Sequence, residues 1–382
     1  MAYIYQNAHW PHFRWNNATL LPLLADVRHR QGRLLGQMQG LGFQWRAEAN
    51  LATLTSDVVK SSAIEGAMLN AAQVRSSIAR QLGLDFGGNL ATARDVEGVV
   101  EMMLDATQKY ATPLTVERLF AWHAALFPTG RSGMRRITVG AWRPASIGAM
   151  RVVSGPIGRE RVHFKAPPAS DLEREVSAFL GWFEGSHGVD PVINAGIAHF
   201  WFVTIHPFED GNGRISRAIA DMALARAEGT VERFYSMSAQ IEAEKKDYYL
   251  MLERSQKGSI DITPWLEWFL GCLGRAVDRA HTGLTGVLHK AHIWERINGL
   301  SPVNERQRKV INRLLDGFEG KLSSSKYAKL AKCSADTALR DIRILLDQGI
   351  LVQYPGGGRN TSYRLADLHD QNKTDLPCDG RP

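Results

Sequence analysis

Cysteine is scarce: Cys272, Cys333 and Cys378 are the only three in 382 residues, widely separated and odd in number. That spacing supports neither a disulfide framework nor a zinc site, and it fits a reducing cytoplasm, which is the expected location. Long apolar runs are missing too. Nothing approaches membrane-spanning length, and the opening residues MAYIYQNAHWPHFRW have no basic stretch followed by an apolar one, so neither an export signal nor a membrane partner is expected. A Walker A pattern and the loops of protein kinases are also lacking, which removes an ordinary P-loop or kinase reading.

What is present is the composition of an ordinary globular protein, with 44% hydrophobic and 22% charged residues. The length allows two or three domains. Net charge is +7, and most of it lies late in the chain. Residues 301–365 hold 12 Lys+Arg against 6 Asp+Glu, whereas all other residues hold 34 against 33. A basic C-terminal segment is the footprint of a nucleic-acid-binding module, although a basic surface can also be merely solvated.

Apolar spacing of three and four predicts helices through residues 15–110, in LLPLLADVRHRQGRLLGQM and DVEGVVEMMLDATQKY. Another helix, TVERLFAWHAALF, ends at PTGRSG. The stretch MRVVSGPIGRERVHFKAPPA, with short β-branched runs around Gly-Pro, predicts a small hairpin. Helices resume with DLEREVSAFLGWFEG and the strongly apolar INAGIAHFWFVTI. Strands and helices do not alternate, so the fold class is mainly α, without a Rossmann-type sheet. From Asn304 three helices, the second and third with serine caps and the third with a glycine stop, precede ILVQYPGGGRNTSYRL, the order of a winged helix-turn-helix. Its third helix carries Arg340 and Arg343, and its wing carries Arg359 and Asn360. DNA is one partner expected for residues 304–365; protein contacts or homodimerisation are the alternative. The expected division is 1–110 helical, 111–285 core, 290–365 winged helix and 366–382 a disordered tail.

The segment HPFEDGNGRISR, His206 to Arg217, holds the densest chemistry. Pro207 biases His206 toward extended backbone, so the apolar helix should stop there. Gly211 and Gly213 permit backbone geometry that other residues resist. The amides of Gly211, Asn212 and Gly213 would then open the next helix as an anion site. Arg214 and Arg217, three residues apart, can converge on one polyphosphate. Asp210 supplies a hard oxygen suited to Mg²⁺, and His206 can act as a general base near neutral pH. Together these groups point to transfer of a nucleotide or phosphate group onto a hydroxyl. His199, Trp265 and Trp268 read as core residues.

This segment resembles the signature of the Fic (filamentation induced by cAMP) family, His-x-Phe-x-Asp/Glu-Gly-Asn-Gly-Arg-x-x-Arg. The similarity extends to VVSGPIGRERVHFKAPPA, which looks like the family's flap, and to HWPHFRWNN near the N-terminus, so that about residues 1–285 are covered. The resemblance implies an all-helical Fic core with a β-hairpin flap, ATP and Mg²⁺ as co-substrate and metal, and transfer of AMP to a Ser, Thr or Tyr hydroxyl of a protein. It implies that His206 is the base, that Asp210 holds Mg²⁺, that Gly211, Asn212 and Gly213 cradle the α- and β-phosphates, and that Arg217 clamps the γ-phosphate. Phe208 would anchor the loop, and Glu209 falls at a variable position without a role. Tyr248 and Tyr249 would line the adenine pocket or belong to the core. SSAIEG (Ser61 to Gly66) is similar to the family's inhibitory motif; Ser61 and Glu65 are one helical turn apart, and Glu65 would pair with Arg217 where the γ-phosphate is needed. Two alternatives stay open: AMP removal in the same site, with Glu65 orienting a water, and a nucleotide-sensing DNA-binding regulator.

Overall fold

The computed structural model describes residues 2–84, 90–156, 158–185, 188–300, 302–315, 318, 320–355 and 361–366. The chain divides into two compact units, Met1–Leu284 and Thr285–Pro382. The first unit contains both the N-terminal helical region expected over 1–110 and the core expected over 111–285. It opens with α1 (Asn17–Gln39), α2 (Phe43–Ile64), α3 (Ala71–Gln81), α4 (Arg94–Gln108) and α5 (Val116–Leu126). Local chemistry sets their starts: the side chains of Asn16, Asn70 and Thr115 accept hydrogen bonds from first-turn amides of α1, α3 and α5.

Two hairpins follow, β1 (Arg131–Ser132) with β2 (Arg135–Arg136), and β3 (Arg151–Ser154) with β4 (Arg161–Lys165). Both are antiparallel, and the second changes register between Val152 and Val153. Then come α6 (Leu172–Phe183), α7 (Pro191–Ile205), α8 (Asn212–Glu228), α9 (Met237–Ala243), α10 (Lys245–Gln256) and α11 (Thr263–Leu300), the last of which continues past the end of the first unit at Leu284. Pro191 opens α7, whose first free amide donates to the Asp190 side chain. Thirteen of its fifteen residues are buried, so α7 is enclosed on all sides and forms the axis of the unit. The Trp265 indole of α11 donates to the Gly196 carbonyl of α7 at 2.8 Å.

In the second unit, α12 (Glu305–Leu315), α13 (Ser324–Ala331) and α14 (Ala335–Asp347) precede β5 (Leu351–Gln353) and β6 (Tyr363–Leu365), an antiparallel pair. Ser323 and Ser334 cap α13 and α14. Val310, Ile311, Tyr327, Ile342 and Leu345 form the core, and the buried Asp341 accepts from Arg306 at 3.1 Å. Arg340 and Arg343 are exposed on α14. Arg359, Asn360 and the tail from residue 367 lie outside the described residues.

Candidate active site

The helix α7 ends at His206, though not by the extended backbone expected before proline. His206 is left-handed, φ 52° and ψ 57°, and its amide donates back to Phe202. The C-terminal cap of the helix prevails over the weaker bias from Pro207, at a cost of about 1–2 kcal/mol. Two features downstream offset it. Phe208 is fully buried, stacked on His123 at 4.2 Å, which contributes about 1.5–3 kcal/mol. Asn212 closes the loop with its side chain, accepting from the Phe208 amide at 3.0 Å and donating to its carbonyl at 2.9 Å. Asn212 therefore holds the loop in shape as well as contributing an amide to it.

His206 has one ring nitrogen engaged. Its Nδ1 faces the Val203 carbonyl at 3.2 Å; a carbonyl can only accept, so Nδ1 carries the proton and Nε2 keeps its lone pair. Burial pushes the imidazole down to about 4, assisted by the Arg143 charge and opposed by the Val203 bond. It is neutral at pH 7. Two residues that sequence reasoning missed hold the surrounding backbone. Arg143 donates to the His206 carbonyl at 2.9 Å and to the Pro167 carbonyl at 2.5 Å, while its amide donates to Pro207. It thereby ties the His206 backbone to the segment just after β4. His123 receives the Gly140 amide on Nδ1 at 3.1 Å, so its Nε2 bears the proton and donates to the Asp210 carbonyl at 3.2 Å. Burial pushes His123 down to about 4. Neither residue carries a local sequence signal, because each acts on a segment more than sixty residues away.

The two glycines differ. Gly211 is left-handed at φ 84°, as expected, and packs against Phe127. Gly213 is helical, and its need is close approach: a Cβ there would collide with Glu65 Oε1 and lie 3.2 Å from Arg217 Nη1. The Glu65 carboxylate thus rests on the first turn of α8, where unpaired amides and the helix dipole favour an anion. Arg217, 2% exposed, donates to Glu65 Oε1 at 2.8 Å, to the Ser61 hydroxyl at 2.9 Å and to the Ser61 carbonyl at 2.9 Å. The pairing implied between Glu65 and Arg217 is therefore present, with Ser61 joining it one turn back along α2. Buried donors remain without partners here, Arg217 Nη1 and Arg214 Nε, and Arg214 lies over the Phe127 ring at 4.9 Å. Unpartnered guanidinium donors beside a glycine-lined helix start fit a phosphate-bearing ligand.

Asp210 accepts from the Gly211 amide at 2.6 Å and from the Ser132 hydroxyl. Glu209 has a role after all: it pairs with Arg135 and accepts the Thr138 amide at 2.9 Å. These contacts moor the β1–β2 hairpin to the loop. Among the described residues no group of three His, Cys, Asp or Glu could hold a metal alone. One carboxylate beside a hydroxyl suits a cation that takes most ligands from phosphate and water, as Mg²⁺ does.

A cavity of about 720 Å³ opens over this site, lined by Glu65, His206, Gly213, Tyr248, Tyr249 and the β3–β4 hairpin. Tyr248 is buried and its hydroxyl meets His199 Nε2 at 2.9 Å; burial pushes His199 down to about 3. Tyr249 is 40% exposed and donates to the Ile64 carbonyl at 3.3 Å. Both tyrosines therefore serve the cavity wall and the packing at once. The hairpin is fastened to α10 through His163 and Glu253, 2.6 Å apart.

Comparison with known proteins places this stretch beside a described family. Residues 113–224 match the family model described as Fic/DOC family, and residues 3–84 match a domain of unknown function, DUF4172. A protein adenylyltransferase Fic from Culex quinquefasciatus is 29% identical over 223 residues, 58% of this chain and 40% of that protein. One from Nematostella vectensis is 31% identical over 146 residues, 37% and 31% of the two chains. The chain thus spans well under half the length of these relatives. The crystal structure of a Fic family protein from Desulfovibrio desulfuricans G20 covers 92% of this chain and 97% of its own, with a TM-score of 0.57 at 22% identity, a likeness of fold. The segment that holds His206, Asp210 and Arg217 lies within the stretch that matches the Fic/DOC family model.

Proposed function

We propose that the chain is an autoinhibited protein adenylyltransferase. The observation that carries this reading is the Glu65 carboxylate seated on the first turn of α8 and held by Arg217 at 2.8 Å. An anion already occupies the cradle that the terminal phosphate of ATP would need. One guanidinium cannot serve both at once. The relatives named protein adenylyltransferase support the same chemistry.

With Glu65 withdrawn, ATP would place its phosphates against the amides of Gly211, Asn212 and Gly213 and the side chains of Arg214 and Arg217. Asp210 would hold Mg²⁺, which neutralises phosphate charge when bound. His206 Nε2 would take the proton from a Ser, Thr or Tyr hydroxyl of a protein lying along the β3–β4 flap. The hydroxyl oxygen then bonds to the α-phosphorus, the bond to the β-phosphate oxygen breaks, and pyrophosphate leaves. The neutral His206, its Nδ1 proton committed to Val203, supports this assignment.

Label transfer from ATP labelled on the α-phosphate tests it, with self-modification as readout. Labelling should rise in Glu65→Gly and vanish when His206→Ala is added. Labelling absent from every variant, with ATP binding intact, would favour AMP removal or nucleotide sensing. For the second unit, three helices, two of them serine-capped, and a hairpin with exposed Arg340 and Arg343 support a winged helix that contacts DNA. Gel shifts that lack any sequence preference would count against it.

A further inference from the structure

The second basic region of the chain escapes an average taken over everything outside residues 301–365. Residues 131–165 carry eight Lys+Arg against one Asp+Glu, a net +7 equal to that of the whole protein. Outside these two stretches the chain is acidic, 26 against 32. The expectation that positive charge belongs almost wholly to the C-terminal segment is therefore corrected: an acidic background conceals a second basic stretch beside the candidate active site, in which Arg143 is buried and Arg135 and Arg161 are paired with Glu209 and Glu253.

Its placement is specific. The two hairpins flank the His206–Asp210 loop. β1–β2 is moored to Asp210 and Glu209, and the residues at the exit of β3–β4 are held to the His206 carbonyl through Arg143. In β1–β2, Arg131 is the direct cross-strand partner of Arg136; in β3–β4, Arg151 is the partner of Lys165. Like charges set opposite one another destabilise a hairpin. These four side chains and Arg159 are exposed, and none makes a salt bridge among the described residues. Where a local rule is broken twice without compensation in the fold, the compensation is expected from a partner. Beside the β1–β2 hairpin lies a groove of about 600 Å³, lined by Arg135, Arg136, Thr138, Ser146, Ile147 and Glu209.

We infer that the protein whose hydroxyl reaches His206 docks through an acidic segment on these two hairpins. The inference rests on the transferase reading and names the substrate class of that site. A polypeptide fits better than a nucleic acid. No aromatic ring of this stretch is exposed among the described residues, since Phe164 is buried and Trp142 packs on Phe120 and Phe208. Single strands are bound largely by stacking on such rings. The exposed large apolar side chains are instead Met134, Ile147, Val153 and Val162, contacts suited to side chains and strand edges.

The test uses the full chain and fluorescence anisotropy with three probes: a synthetic peptide of alternating Glu and Ser, its Lys and Ser counterpart, and a single-stranded DNA. The acidic peptide should bind best and weaken as salt rises. Arg131→Glu combined with Lys165→Glu should weaken it on the order of tenfold or more. The same pair creates cross-strand ion pairs with Arg136 and Arg151, so its melting temperature should hold or rise, which separates lost docking from lost folding. Arg340→Glu with Arg343→Glu should leave peptide binding unchanged. Preference for DNA, or peptide binding that depends on Arg340 and Arg343 instead, overturns the inference. Self-labelling in Glu65→Gly reports the transferase reading separately: labelling without acidic-peptide preference sinks only the docking proposal, and peptide binding without labelling sinks the transferase reading and with it the identity of the docked protein as substrate, leaving only an acidic-peptide surface.

Discussion

Two buried arginines at the α2–α8 interface meet opposite fates. At the inner end Arg233, 0% exposed, lies between Asp221 and Glu228, 1% and 2% exposed, with the Tyr235 ring 4.8 Å away. Asp57 of α2 closes the same end, accepting from Ser236 at 2.5 Å and from the Ser238 amide at 3.2 Å. At the outer end Arg217 is as deeply buried, but its carboxylate partner Glu65 is 32% exposed and sits at the last turn of α2 beside the cavity. A carboxylate shut in on all sides can only be structural. One that water can reach, seated on a helix N-terminus, is exchangeable for another anion. The two ends therefore share a buried cation and differ in access to the anion, and the proposed replacement of Glu65 by a phosphate rests on that difference.

The largest expected effect breaks the inner end. Arg233→Ala leaves Asp221 and Glu228 buried without a cation and should cost about 3–5 kcal/mol in chemical denaturation; a loss below 1 kcal/mol would erase the distinction between the ends. Acidification should act on the outer end next. His199 and His206 are held near 3 and 4 by burial, against an ordinary value of 6.5. The unfolded chain takes up these protons first, so their contribution is fully present above pH 6.5 and is lost as pH falls toward 4. Melting temperature should drop across that window, less steeply in His199→Gln.

Glu65→Gly sharpens the comparison in activity instead of stability. Self-labelling should rise tenfold or more, while unfolding free energy changes by only about 1 kcal/mol, because Arg217 keeps both contacts to Ser61. A stability loss as large as that of Arg233→Ala would show the outer pair to be equally structural. The smallest effect belongs to Ser61→Ala, which removes one hydrogen bond to Arg217 Nε and should cost about 1 kcal/mol with a partial rise in labelling.

Much of the helical order was legible because it is local. Asn, Thr and Ser caps, Pro191 and the glycine-rich loop act within four residues, and the apolar spacing of α7 needs no partner to be seen. The chemistry of the loop was legible for the same reason: base, carboxylate, glycines and arginines fall within one twelve-residue stretch. Some local inferences still failed. The Pro207 bias pointed to an extended His206, but the helix cap, the Phe208 anchor and the Asn212 clasp outweighed it. Charge averaged over most of the chain likewise hid residues 131–165, since a patch depends on which charges share a surface.

What the sequence by itself determined is thus the mainly helical body and a loop that gathers a histidine, a carboxylate, glycines and two arginines. Only the tertiary structure decided that Glu65 reaches Arg217 across 152 residues, that Arg143 and His123 hold the backbone at His206 and Asp210, and that Arg131 faces Arg136. Caps and periodicity are written in short-range backbone geometry. Which carboxylate meets which guanidinium is settled by how whole helices and hairpins pack, and no local pattern records that.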